Sequence, residues 1–134
     1  MLRCRALLCA AIALAALAPP PARAEGERIT AEEIRQSIIG RRIYLAAPIG
    51  GEFPLNYRPS GVVDGNGEAL GIGRLVRPRD EGKWWIAGDR LCQQFRNWYK
   101  GATLCFELYR AGEGRLTWIR DNGQTGTARI GESL

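Results

Sequence analysis

From residue 42 onward, apolar and polar positions alternate in short runs that turn residues interrupt at roughly ten-residue spacing, the pattern of an antiparallel sandwich or small barrel. The runs predict eight or nine strands, over Arg42 to Ala47, Phe53 to Arg58, Gly61 to Asp64, Ile72 to Arg77, Lys83 to Ala87, Arg90 to Phe95, Thr103 to Arg110, Arg115 to Arg120 and Gln124 to Ile130. Turn chemistry separates them at Pro59-Ser60, Asp64-Gly65-Asn66-Gly67, Gly88-Asp89, Gly112-Glu113-Gly114 and Asn122-Gly123. Connections this short make sequential strands antiparallel neighbours. Before the strands, the period changes. Thr30-Ala31-Glu32-Glu33 has the form of a capping box, Ile29 and Ile34 can staple it, and Ile34, Ile38 and Ile39 form one apolar stripe that Gly40 ends. This predicts a single helix over 31–39. The fold class expected is mainly β: one N-terminal helix packed on an antiparallel meander barrel or sandwich of about eight strands.

Strand parity orients two pairs of side chains. Leu104, Phe106 and Leu108 alternate with Cys105, Glu107 and Tyr109, while Leu91 and Phe95 alternate with Cys92 and Gln94. Cys92 and Cys105 therefore emerge together on the face opposite the apolar one, where a cross-strand disulfide would fix register. In the last hairpin, a two-residue Asn122-Gly123 loop would set Trp118 opposite Thr127 and Leu116 opposite Arg129. Trp118 and Arg129 would then be diagonal neighbours, able to stack cation on ring.

The charge and cysteine content change meaning once the N-terminus is read separately. Arg3 and Arg5 precede an apolar stretch from Ala6 to Ala18, three prolines follow, and Ala22-Arg23-Ala24 offers small residues for cleavage. This has the form of a secretory signal over 1–24, leaving 25–134 as a single β-rich domain in the periplasm or outside the cell. The apolar stretch is too short to cross a bilayer, so no transmembrane segment is expected in the mature chain. The 134-residue chain carries 19 basic and 14 acidic residues. Removing Arg3, Arg5 and Arg23 leaves 16 basic side chains against the same 14, a net charge of only +2, so a nucleic-acid partner is not expected. Of four cysteines, Cys4 and Cys9 leave with the signal, and Cys92 and Cys105 remain to form one bridge in an oxidising compartment.

Chemistry is sparse. The chain has no histidine, which removes the commonest general base and metal ligand. Asp64-Gly65-Asn66-Gly67-Glu68 begins like a calcium loop, but Ala69 and Leu75 stand where a glycine and a bidentate carboxylate are needed. Gly71-Ile72-Gly73 lacks the strand-loop-helix setting of a phosphate loop. No catalytic residue, metal ligand or cofactor is expected. The aromatic residues carry more information. Trp84 and Trp85 must point to opposite faces, and Trp98 and Tyr99 lie in the disulfide hairpin's loop, where they fold back or meet a partner.

The run from Gly82 to Cys92, followed by Cys105-Phe106 and a Gly-rich hairpin, resembles small exported alphaproteobacterial proteins of a family of unknown function. The Ile29 to Ile34 helix start and the Tyr57-Arg58-Pro59-Ser60-Gly61 turn are similar as well. The architecture also resembles the lipocalin or calycin group, in which a Gly-x-Trp strand and a late Arg pack across one end of a meander barrel. The resemblance assigns those parts to Gly82, Trp84 and Arg129. The expected function is non-enzymatic: binding of a small apolar ligand or an envelope protein, with Trp84, Trp98, Tyr99, Trp118 and Arg129 as binding candidates. The alternative is an inhibitor of a secreted or periplasmic hydrolase that presents Arg96 to Ala102 as a stiff loop.

Overall fold

The structure is a computed structural model that describes residues 26–47, 50–67 and 77–134. One helix, α1 (Ala31–Ser37), precedes eight strands: β1 (Arg41–Ala46), β2 (Glu52–Tyr57), β3 (Val62–Asn66), β4 (Arg79–Ala87), β5 (Arg90–Phe95), β6 (Thr103–Arg110), β7 (Arg115–Arg120) and β8 (Thr125–Ser133). Each strand pairs antiparallel with the next, and β8 returns to β1, closing the barrel. Closure removes the exposed edges an open sheet would present. Eight strands make a ring whose interior side chains can nearly fill, or leave room for one small ligand.

The helix starts as its sequence dictates. Thr30 Oγ1 accepts from the Glu33 N–H, and the Glu33 carboxylate accepts from the Thr30 N–H at 2.8 Å. Ala31 N–H is taken by Asp89 Oδ1 of the β4–β5 turn, so that turn holds α1 against the barrel. Ile29, Ile34 and Ile38 are all buried in the core this contact closes. The lead segment continues the sheet beside the end of β6, with Ile29 N–H on Leu108 O and Arg110 N–H on Glu27 O. The helix, the β2–β3, β4–β5 and β6–β7 turns and the C-terminus thus occupy one end of the barrel.

Glu33 also accepts from Arg110 Nη2 at 2.6 Å. Its bonds from the Thr30 backbone, then from Arg110 and the Thr30 hydroxyl, lower its pKa from 4.5 to about 2. The sign follows directly. A carboxyl with a depressed folded-state pKa adds stability that is complete above pH 4.5 and lost as pH falls toward 2. Replacing Glu33→Gln should therefore flatten the pH dependence of the unfolding midpoint in that window, measured by circular dichroism from pH 2 to 6. An undiminished slope would assign the acid sensitivity elsewhere.

Register confirms the bridge. Cys92 lies opposite Cys105, and the disulfide joins them across β5 and β6. Both point away from the lumen, as parity requires, yet Cys92 is fully buried, with Trp85 of β4 its other cross-strand neighbour.

Four expectations are corrected. The last hairpin has a three-residue loop, Asp121-Asn122-Gly123, with Arg120 and Gln124 bonded across it and Gly123 at φ +87°. That one extra residue sets Trp118 opposite Gly126, Leu116 opposite Ala128 and Arg115 opposite Arg129. Trp118 therefore faces inward and Arg129 outward, so they cannot stack. Second, Asp64-Gly65-Asn66 is not a turn but the end of β3. Gly65 is needed there because a Cβ would lie 2.7 Å from both Leu55 Cδ2 and Trp98 Cζ3. Third, β4 begins at Arg79 rather than Lys83, and β8 runs to Ser133, where the Arg41 guanidinium caps Gly131 O at 2.8 and 3.0 Å beside a register shift. Fourth, α1 stops at Ser37 and a turn carries the chain to β1. The strand expected over Ile72 to Arg77 lies outside the described residues except for Arg77, which is not in a strand. The signal over 1–24 also lies outside them.

Candidate functional site

The inward positions of six strands, β1, β2 and β5 to β8, converge on a cavity of about 90 Å³. Its wall is apolar: Leu45, Phe53, Leu55, Leu104, Phe106 and Leu116 contribute, and Ile38 beside the helix end forms part of it. The helix-bearing end is packed, whereas the wall at the opposite end reaches residues open to solvent, among them Tyr99 and Gln124.

That opposite end carries the β5–β6 connection, a 3-10 turn over Trp98–Gly101. Trp98 folds back. Its ring lies 5.1 Å from that of Phe53 and 4.9 Å from that of Phe95, and its Nε1 donates to Arg77 O at 2.8 Å. The turn is anchored by Asp80, which is buried at the start of β4. Asp80 accepts from the Asn97 and Trp98 N–H groups at 2.7 Å each and from Asn97 Nδ2 at 3.1 Å. Burial opposes ionisation of Asp80, but these bonds outweigh it and hold its carboxyl below the ordinary range. Tyr99 stays out, 56% exposed, and both it and Lys100 adopt left-handed backbone (φ 56° and 55°). Each costs roughly 1 to 2 kcal/mol in a non-glycine residue, and the Asp80 bonds and Trp98 packing offset that strain.

The other sequence-derived candidates separate. Trp118 lines the cavity and meets Phe106 edge-on at 5.5 Å, lying flat over Gly126, where a Cβ would come within 2.2 Å of the indole. Trp84 faces inward opposite Gln93, but it packs at the helix end, donates from Nε1 to Arg58 O at 2.7 Å and is not part of the cavity wall. Trp85 faces outward under Lys83, whose Nζ lies 5.7 Å from the ring. Arg129 is on the outer surface, paired with Glu52 at 2.6 and 3.0 Å and stacked 4.2 Å over Tyr44. It therefore takes no part in a Gly-x-Trp cluster with Gly82 and Trp84. Its bond holds Glu52 below the usual carboxylate range.

Three cavity residues were not singled out by sequence. Tyr57 donates from its hydroxyl to Gln93 Oε1 at 2.6 Å, a buried polar pair inside an otherwise greasy wall. Burial, and secondarily the Tyr99 phenol, push the Tyr57 hydroxyl well above its ordinary pKa, so it stays a neutral donor. Arg120 follows Trp118 at the next inward position of β7 and lies 5.8 Å from the Tyr99 ring. A signal existed for two of these: Gln93 interrupts the apolar parity of Leu91 and Phe95, and Arg120 shares that of Trp118.

No protein-family model, curated protein or solved structure matches this chain. What the site does must follow from its own side chains. Among the described residues, no group of three or more His, Cys, Asp or Glu is placed to hold a metal, and no helix is long and apolar enough to cross a membrane. Among the described residues, the cavity wall contains no carboxylate, histidine, serine or cysteine. Such a wall has the composition that can bury an apolar body, with polar groups at defined positions.

Proposed function

We propose that this is an exported, non-enzymatic binding protein whose barrel takes up a small apolar molecule in the cell envelope. The observation that carries the reading is the apolar cavity, packed shut by α1 at one end and reaching the surface at the other. The N-terminal signal pattern and the Cys92–Cys105 bridge support a periplasmic or extracellular site of action. The resemblance to small exported alphaproteobacterial proteins supports export, and the closed eight-strand antiparallel barrel is compatible with a lipocalin-like binding role.

Size limits the ligand. An apolar cavity of roughly 150 Å³ accepts benzene, so about 90 Å³ suits a short chain or a small ring, with any remainder at the open end. Titration with benzene should raise the unfolding midpoint and change the fluorescence of Trp98 and Trp118, both in the wall. No change in either signal at saturating benzene would overturn the reading.

A second reading, inhibition of a secreted or periplasmic hydrolase, is favoured by one feature: exposed Tyr99 on a turn held in strained geometry by Asp80. A stiff loop loses little freedom on docking. Inhibition of a hydrolase by the wild-type chain, lost on Tyr99→Ala, in a protein that takes up no benzene would select this reading over the first.

A further inference from the structure

Two unmet hydrogen-bond donors belong to residues of the cavity wall, both on β7. Trp118 Nε1 and Arg120 Nε are enclosed and have no hydrogen-bond partner. They occupy successive inward positions of β7, separated by about 7 Å of strand. Buried donors are ordinarily satisfied, and both of these belong to residues that line the same cavity. The remaining contacts of Arg120 do not meet the need. Nη1 donates to Gln124 Oε1 at 2.9 Å, and Nε forms an ion pair with Asp121 Oδ1 at 3.7 Å, too long for a hydrogen bond. Arg120 is the one charged residue in the described wall; its partner Asp121, in an ion pair at 3.7 Å, lies outside that wall and is partly exposed, so no carboxylate faces the cavity itself.

We propose that β7 reads the head group of the ligand: a carboxylate accepts from Arg120 Nε and Trp118 Nε1, while its short apolar tail enters the barrel. This rests on the binding-barrel reading and narrows it to small monocarboxylates. A charged acceptor suits the site better than a neutral one because a guanidinium–carboxylate bond is roughly twice as strong as a neutral one. A protonated amine is disfavoured, since it brings donors to donors beside a fixed cation.

The test uses the full chain with its disulfide intact and three probes of equal tail length: hexanoate, hexan-1-ol and hexylammonium. Affinities are read from tryptophan fluorescence and calorimetry. Hexanoate should bind about tenfold more tightly than hexan-1-ol, and hexylammonium more weakly than either. Arg120→Met, which keeps the apolar stem, should bring the hexanoate to hexanol ratio close to one. Trp118→Phe keeps the ring and removes the donor. It should lower the same ratio severalfold, and it carries the test if Arg120→Met fails to fold. Equal affinity of the wild-type protein for hexanoate and hexanol would overturn the head-group assignment while leaving the binding barrel standing. Absence of binding by all three would instead overturn the barrel reading beneath it.

Discussion

Replacing Cys92 and Cys105 together by alanine is expected to lower stability by about 3 kcal/mol and the unfolding midpoint by on the order of 10 to 20 °C. The bridge closes a loop with a sequence separation of 13, and the unfolded chain gains that freedom when it is removed. The effect should be large for a domain of this size, whose total stability is on the order of 5 to 15 kcal/mol. Because Cys92 is fully buried outside the lumen, the loss should appear in folding and leave the affinity of the folded fraction for benzene unchanged. Thermal and urea unfolding of the double variant measure the first effect and calorimetry at low temperature the second. An unchanged midpoint would mean that the link contributes nothing to the folded barrel.

Ile38→Ala should cost about 2 to 4 kcal/mol and at the same time change what the barrel holds. Ile38 is 1% exposed, forms the helix cap and also lines the cavity. Truncation removes packing between α1 and the barrel and leaves space continuous with the lumen. The variant should therefore discriminate less against naphthalene relative to benzene, although it is the less stable protein. Urea unfolding and the two affinities check both halves. A loss below 1 kcal/mol, or unaltered selectivity, would place Ile38 outside the wall.

Much of this was legible in the residues, and the failures have physical causes. Alternation over Arg90 to Phe95 and Thr103 to Arg110 set the face and register of the disulfide hairpin, because a one-residue slip would expose every apolar side chain in it. The helix start at Thr30 needed only local hydrogen bonds and was equally readable. Asn122-Gly123 was ambiguous. The same glycine serves a two-residue loop or the left-handed end of a three-residue one, and the choice moves Arg129 from the Trp118 face to the opposite one. Asp64-Gly65-Asn66 looked like a turn because Gly is the usual turn residue, whereas here its missing Cβ makes room for Trp98, 33 positions later. Asp80 holding the Trp98 turn is likewise a long-range contact with no periodic trace. The candidate site was partly visible: Trp98, Tyr99 and Trp118 line the cavity, Trp84 and Arg129 do not, and Arg120 shares the parity of Trp118 but carries a charge that reads as solvent-facing.

The central claim is that the interior of this barrel is hollow and apolar. Crystals pressurised with xenon test it most directly, since a dry apolar cavity takes up the gas and a filled core does not. The account expects a xenon atom inside the ring, in contact with Leu55, Leu104, Phe106 or Trp118. A barrel with no xenon among these side chains, or with an ordered water in that space, would contradict it.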